Sequence, residues 1–72
     1  MKNYLGDYLK QARLKKGYTQ KGFAELMKVH YRMIQQWENE HIIPGAKYLL
    51  VLIRLLDLDL NELEKCIELD EK

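Results

Sequence analysis

Five side chains able to donate hydrogen bonds, His30, Tyr31, Arg32, Gln35 and Gln36, fall within seven consecutive positions, interleaved with Val29, Ile34 and Trp37. On a wheel of 100° per residue, Met33, Ile34, Trp37 and Glu38 share one arc. Tyr31, Arg32, Gln35, Gln36 and Asn39 share the opposite arc, with His30 just before it. An ordinary solvated face would carry Glu and Lys. Arg and Gln are instead the types that pair with base edges, Arg with guanine through two donors and Gln with adenine through a donor and an acceptor. Catalytic chemistry finds no comparable constellation. His30, His41 and Cys66 lack metal-ligand spacing. No Gly-rich phosphate loop leads into Lys-Ser/Thr, and no nucleophile–base arrangement can be placed together. The carboxylates at 57 to 71 lie along one helix and its ends, as a solvated face does. The expectation is a protein without enzymatic activity, metal, cofactor or evident small-molecule ligand.

The elements that must position this row are helical, because strand alternation is nearly absent. Asn3 can cap a first helix with Leu5, Leu9 and Ala12 inward; Lys15, Lys16 and Gly17 close it. Thr19 can cap a short second helix, 20 to 27, with Phe23, Ala24 and Met27 inward. Lys28, Val29 and His30 form a break before a third helix to about Asn39. "EHIIPG" is a loop, since Pro44 stops any continuous helix. A fourth helix spans roughly 46 to 57. Asp59 and Glu62 give a capping-box start to a fifth, 60 to 69. A short helix, a tight turn and an amphipathic helix with an outward polar row make a helix-turn-helix. Ala24 is small where the two helices approach, and Val29 plugs the turn.

The segment "LGDYLKQARLKKGYTQKGFAELMKVHYRMIQQWENE" resembles the helix-turn-helix family of phage repressors, Cro proteins and xenobiotic-response-element regulators. The pattern is carried by Leu5, Gly6, Arg13, Thr19, Gln20, Ala24, Val29, Ile34, Trp37, Glu38 and Asn39, then by Pro44 and "DLNELE", over roughly residues 5 to 64. The resemblance implies an all-α, five-helix lambda-repressor-like domain spanning 1–72, with the helix-turn-helix at helices 2 and 3. It implies that His30, Tyr31, Arg32 and Gln36 face bases in the major groove. Thr19, Gln20, Gln35 and Asn39 match positions at the DNA backbone. Arg13 and Glu38 match a structural ion pair. There are departures: Lys28 stands where a turn glycine is usual, Gly22 replaces a helix former, and Glu40 and Asp57 stand where glycines are common.

Composition fits one small soluble protein. The 72 residues are 47% apolar, too many for a disordered chain. The one cysteine, Cys66, cannot form an internal disulfide and suits a reducing interior. Lys2 and Asn3 lead straight into an amphipathic stretch rather than a signal peptide. The longest apolar run, "YLLVLIRLL", is too short to span a membrane and carries Arg54. A cytoplasmic protein is expected. The net charge of +1 conceals a division. Residues 1 to 36 hold eight basic and two acidic residues, net +6; residues 37 to 72 hold four and nine, net −5. A basic N-terminal half suits a polyanion.

Together these point to a sequence-specific transcriptional regulator of repressor type, binding double-stranded DNA as a homodimer. The alternative is an antitoxin-type or adaptor helix-turn-helix acting mainly through protein–protein contact. Tyr48, Val51 and Leu55 form an apolar strip on helix 4, to which helix 5 adds Leu60, Ile67 and Leu69. That strip serves either as a dimer seam, with Ile42 and Ile43 as possible additions, or as packing within one subunit.

Overall fold

A computed structural model describes residues 2–72. It contains five α-helices: α1 Tyr4–Lys15, α2 Gln20–Met27, α3 Tyr31–Asn39, α4 Ala46–Leu56 and α5 Leu60–Asp70. No strand occurs among the described residues. The fold is the all-α architecture expected of a lambda-repressor-like chain, with α2 and α3 as the helix-turn-helix.

Local chemistry sets the helix starts. Asn3 accepts from the Gly6 N–H, and Thr19 accepts from the Gly22 N–H. Asp59 accepts from the N–H groups of Asn61 and Glu62. Each satisfies a donor that a helix start leaves unpaired. The reciprocal half of a capping box is not made by Glu62, because the Asp59 N–H donates to the Tyr8 hydroxyl at 2.9 Å.

Three helices stop by the same device. At the ends of α1, α2 and α4 a left-handed residue is followed by an apolar one whose N–H reaches back five residues. Tyr18 bonds the Arg13 carbonyl, Val29 that of Ala24 and Leu58 that of Ile53. The left-handed positions are Gly17, Lys28 and Asp57, with φ of 84°, 59° and 52°. Lys28 thus takes the geometry a glycine would take, and the turn keeps its shape at the cost of local strain. At the end of α3 the left-handed step falls on His41 (φ 57°), while Glu40 has φ −115°.

One buried cluster draws on every helix: Leu5 and Leu9 of α1, Phe23 and Ala24 of α2, Ile34 and Trp37 of α3, Leu52 and Leu56 of α4, and Leu63 of α5, with Leu58 between the last two. The helices α1 and α3 approach so closely that a Cβ on Gly6 would stand 2.5 Å from the Glu38 carbonyl oxygen. Asn3 donates to that same carbonyl at 3.2 Å. The two ends of the fold are tied as well. The Asp70 carboxylate accepts from the Tyr4 and Leu5 N–H groups at 2.8 and 3.0 Å, neutralising the positive end of α1.

Candidate nucleic-acid interface

The inward face of α3 is fixed before its outward face can present anything. Ile34 and Trp37 are buried, and the Trp37 ring lies 5.6 Å from that of Tyr48. Glu38 is buried too, and polar groups from two other helices converge on it. Arg13 donates through Nε and Nη2 to the two carboxylate oxygens at 2.7 and 3.0 Å. Gln20 Nε2 donates to Glu38 Oε1 at 3.2 Å. Arg13 Nη1 donates to the Tyr18 carbonyl at 2.6 Å, so the α1–α2 turn joins the same network. No buried side-chain polar atom among the described residues lacks a partner. The network is charge-assisted and directional, and it sets the rotation of α3 about its own axis.

The opposite face carries the polar row. Tyr31, Arg32 and Asn39 are exposed; Gln35 and Gln36 are half-buried. His30 is exposed and is the N-cap of α3, its Nδ1 accepting from the Arg32 N–H at 3.1 Å. The Tyr31 ring stacks on the His30 ring at 5.0 Å, and the Lys21 ammonium stands 5.4 Å from the Tyr31 ring centre. Arg32 Nη2 reaches along the helix to within 3.6 Å of a carboxylate oxygen of Glu40, just past the far end of α3, both side chains being exposed. Such a pair is weak in water and opens easily. Thr19 and Gln20 sit at the start of α2, along an open trough lined also by Gly17, Tyr18 and Lys21. Gln20 spends one amide proton on Glu38 and keeps the other.

Sequence reasoning did not foresee several of these contacts. His30 as a cap, the Lys21–Tyr31–His30 stack and the Glu40 approach to Arg32 all depend on side-chain directions at helix ends, which a wheel does not encode. The candidate dimer residues are divided by the structure. Tyr48, Leu55 and Ile67 are half-buried and pack against the core, and Val51 is half-buried. Leu60 and Leu69 are exposed, but nine residues apart on α5 they face opposite flanks. Leu50, which the strip omitted, is the most exposed large apolar side chain of α4 at 69%.

No group of three or more His, Cys, Asp or Glu able to hold a metal occurs among the described residues. Burial, and then the carboxylates of Asp70 and Glu62, pushes the Cys66 thiol up, so it stays protonated and poorly nucleophilic at neutral pH. Among the described residues no helix is long and apolar enough to cross a membrane.

A helix-turn-helix family profile matches residues 9–63, which takes in α2, α3, α4 and the turns between them. The chain belongs to the helix-turn-helix family. No curated protein and no solved structure matches it. As a helix-turn-helix protein of the Cro and repressor type, it is a DNA-binding regulator. The polar row of α3 therefore occupies the second helix of the motif, the helix that enters the major groove in such proteins.

Proposed function

We propose that this regulator is a cytoplasmic repressor that binds operator DNA as a homodimer, with α3 in the major groove. The observation that supports this best is the two-sidedness of α3. Its inner face is clamped through Glu38, while Arg32 and Gln36, one turn apart, stand on its outer face.

In this reading Arg32 leaves Glu40 and donates twice to a guanine, and Gln36 pairs with an adenine. Tyr31 meets a thymine methyl with its ring, and His30 stands at the groove edge. Thr19, Gln20, Gln35 and Asn39 contact the sugar–phosphate backbone, where they fix register without reading sequence. One such motif reads only a few base pairs, so two half-sites about 34 Å apart supply the specificity. The dimer seam is drawn from the exposed Ile42 and Ile43 of the loop before α4, the half-buried Val51 of α4, and one flank of α5, marked by either Leu60 or Leu69. Tyr48, Leu55 and Ile67 support that surface from beneath.

Selection of duplexes from a random pool, followed by titration of Arg32→Ala and Gln36→Ala, tests the reading. Each variant should lose about 1–3 kcal/mol on the selected site and relax selectivity at one position per half-site. Thermal stability should be unaltered, since both side chains point away from Ile34 and Trp37. Binding should fall with salt at a slope of about −0.9 per phosphate neutralised. Unchanged site preference in both variants would contradict the assignment. A monomer by sedimentation, free and on the selected duplex, would contradict the dimer.

A further inference from the structure

His30 is an unusual N-cap. Ser, Thr, Asp or Asn would accept the Arg32 N–H as well and are the common choices. What an imidazole adds is its second nitrogen.

We infer that His30 is a specificity-determining donor, held as the Nε2–H tautomer so that it offers the duplex one hydrogen-bond donor and no acceptor. The inference rests on the DNA-reading role of α3 and deepens it. A neutral imidazole carries one N–H and one bare nitrogen, and the partner of one nitrogen decides which is which. Here Nδ1 accepts from the Arg32 backbone N–H at 3.1 Å, so the proton resides on Nε2. The ring plane is fixed as well, because the imidazole stacks on Tyr31 with 26° between planes. Nε2 has no partner among the described residues, and His30 is exposed at the start of the reading helix. The group it selects is therefore a base-edge acceptor, a purine N7 or a guanine O6. The exocyclic amines of adenine and cytosine, which are donors, are disfavoured opposite it.

The tautomer can be read on the free protein by long-range proton–nitrogen correlation of the imidazole above pH 7.5. The expected pattern is a bare Nδ1 and a protonated Nε2. The role is read on the duplex selected by the wild-type protein. His30→Ser keeps a cap acceptor but cannot reach the groove. It should melt within a few degrees of wild type and bind about three- to tenfold more weakly, as for one lost hydrogen bond. His30→Asn, which caps through Oδ1 and donates through Nδ2, should recover part of that loss. Wild-type binding to duplexes with 7-deazapurines, or with 2-aminopurine (which lacks O6) in place of guanine, near His30 identifies the acceptor, while methylphosphonates there report a backbone contact instead; the base change that matters should weaken wild type and leave His30→Ser unaffected. An Nδ1–H tautomer, wild-type affinity in His30→Ser, or indifference to both base changes overturns the inference alone. Failure to select any duplex overturns the functional reading with it.

Discussion

Where α1, α2 and α3 meet, side chains from three helices converge on the Glu38 carboxylate. Where α4 meets the rest, Leu52 and Leu56 enter the core, and the described residues include no buried polar side chain from α4 or α5. Burial of apolar area is non-directional: a helix held by it can rotate or slide a little at small cost. A bidentate guanidinium–carboxylate pair fixes distance, plane and rotation together. The helix that carries the outward polar row has the buried directional attachment. The helices that complete the core have no buried one.

The largest expected effect breaks this comparison or upholds it. Glu38→Ala leaves the buried Arg13 without a counter-charge and should cost about 3–5 kcal/mol of stability. Leu56→Met, a volume-conserving change at an equally buried α4 position, should cost less than about 1.5 kcal/mol. Urea denaturation of both variants decides it. Equal losses would mean that the polar junction is no more exacting than the apolar one.

Asp70 supplies a second, milder test, because its carboxylate is a directional contact that ties α5 to α1 and not to α3. Asp70→Ala should cost about 1 kcal/mol, the worth of a carboxylate at a helix N-terminus. It should also speed amide exchange at Leu5, while affinity for the selected duplex and exchange within α3 stay as they were. Faster exchange throughout α3 would show that the two regions are not separable.

How far the sequence carried the reading depends on the distance over which each contact acts. Asn3, Thr19 and Asp59 cap N–H groups two or three residues on, so capping pattern located three of the five helix starts. The inner and outer arcs of α3 were legible because 100° per residue is nearly invariant within one helix. Asp70 bonding Tyr4 and Leu5, across some 65 positions, was not legible, since a C-terminal aspartate reads as one more solvated charge. On α4 the wheel gave the angles but not which side the core would take; Leu50 thus lay outside the expected strip. The left-handed stops at Lys28 and Asp57 carried one overlooked signal. Val29 and Leu58, the apolar residues that follow them, close the same motif that Gly17 and Tyr18 make.

Those stops give a smaller effect of opposite sign. A left-handed lysine costs about 1–2 kcal/mol, and the glycine that would relieve it costs about 0.5–1 kcal/mol in chain entropy. Lys28→Gly should therefore stabilise the protein by a few tenths of a kcal/mol to about 1 kcal/mol. The melting temperature should rise by a few degrees. A fall would show that the Lys28 side chain makes a favourable contact that outweighs its backbone strain.

The smallest effect belongs to Asp57, left-handed like Lys28 but on the α4 side of the comparison. It is paired with Lys16 of α1, whose hydrogen bond and charge hold the Asp57 carboxyl below its ordinary range. A carboxyl lowered by folding adds stability above its unfolded pKa of about 3.8, and loses it as pH falls through the lower folded value. The Asp57 carboxylate is largely exposed and the Lys16 side chain partly so, and solvent and salt screen most of the interaction. Asp57→Asn is the suitable comparator, because asparagine tolerates the left-handed conformation while carrying no charge. Wild type should melt slightly above Asp57→Asn at pH 6 in low salt. The gap should close below about pH 3.8 and in about 1 M salt, where the Debye length falls to about 3 Å. A gap that persisted at low pH would assign the difference to backbone conformation rather than to charge. The α4 end would then be held, like the rest of α4, without electrostatic help.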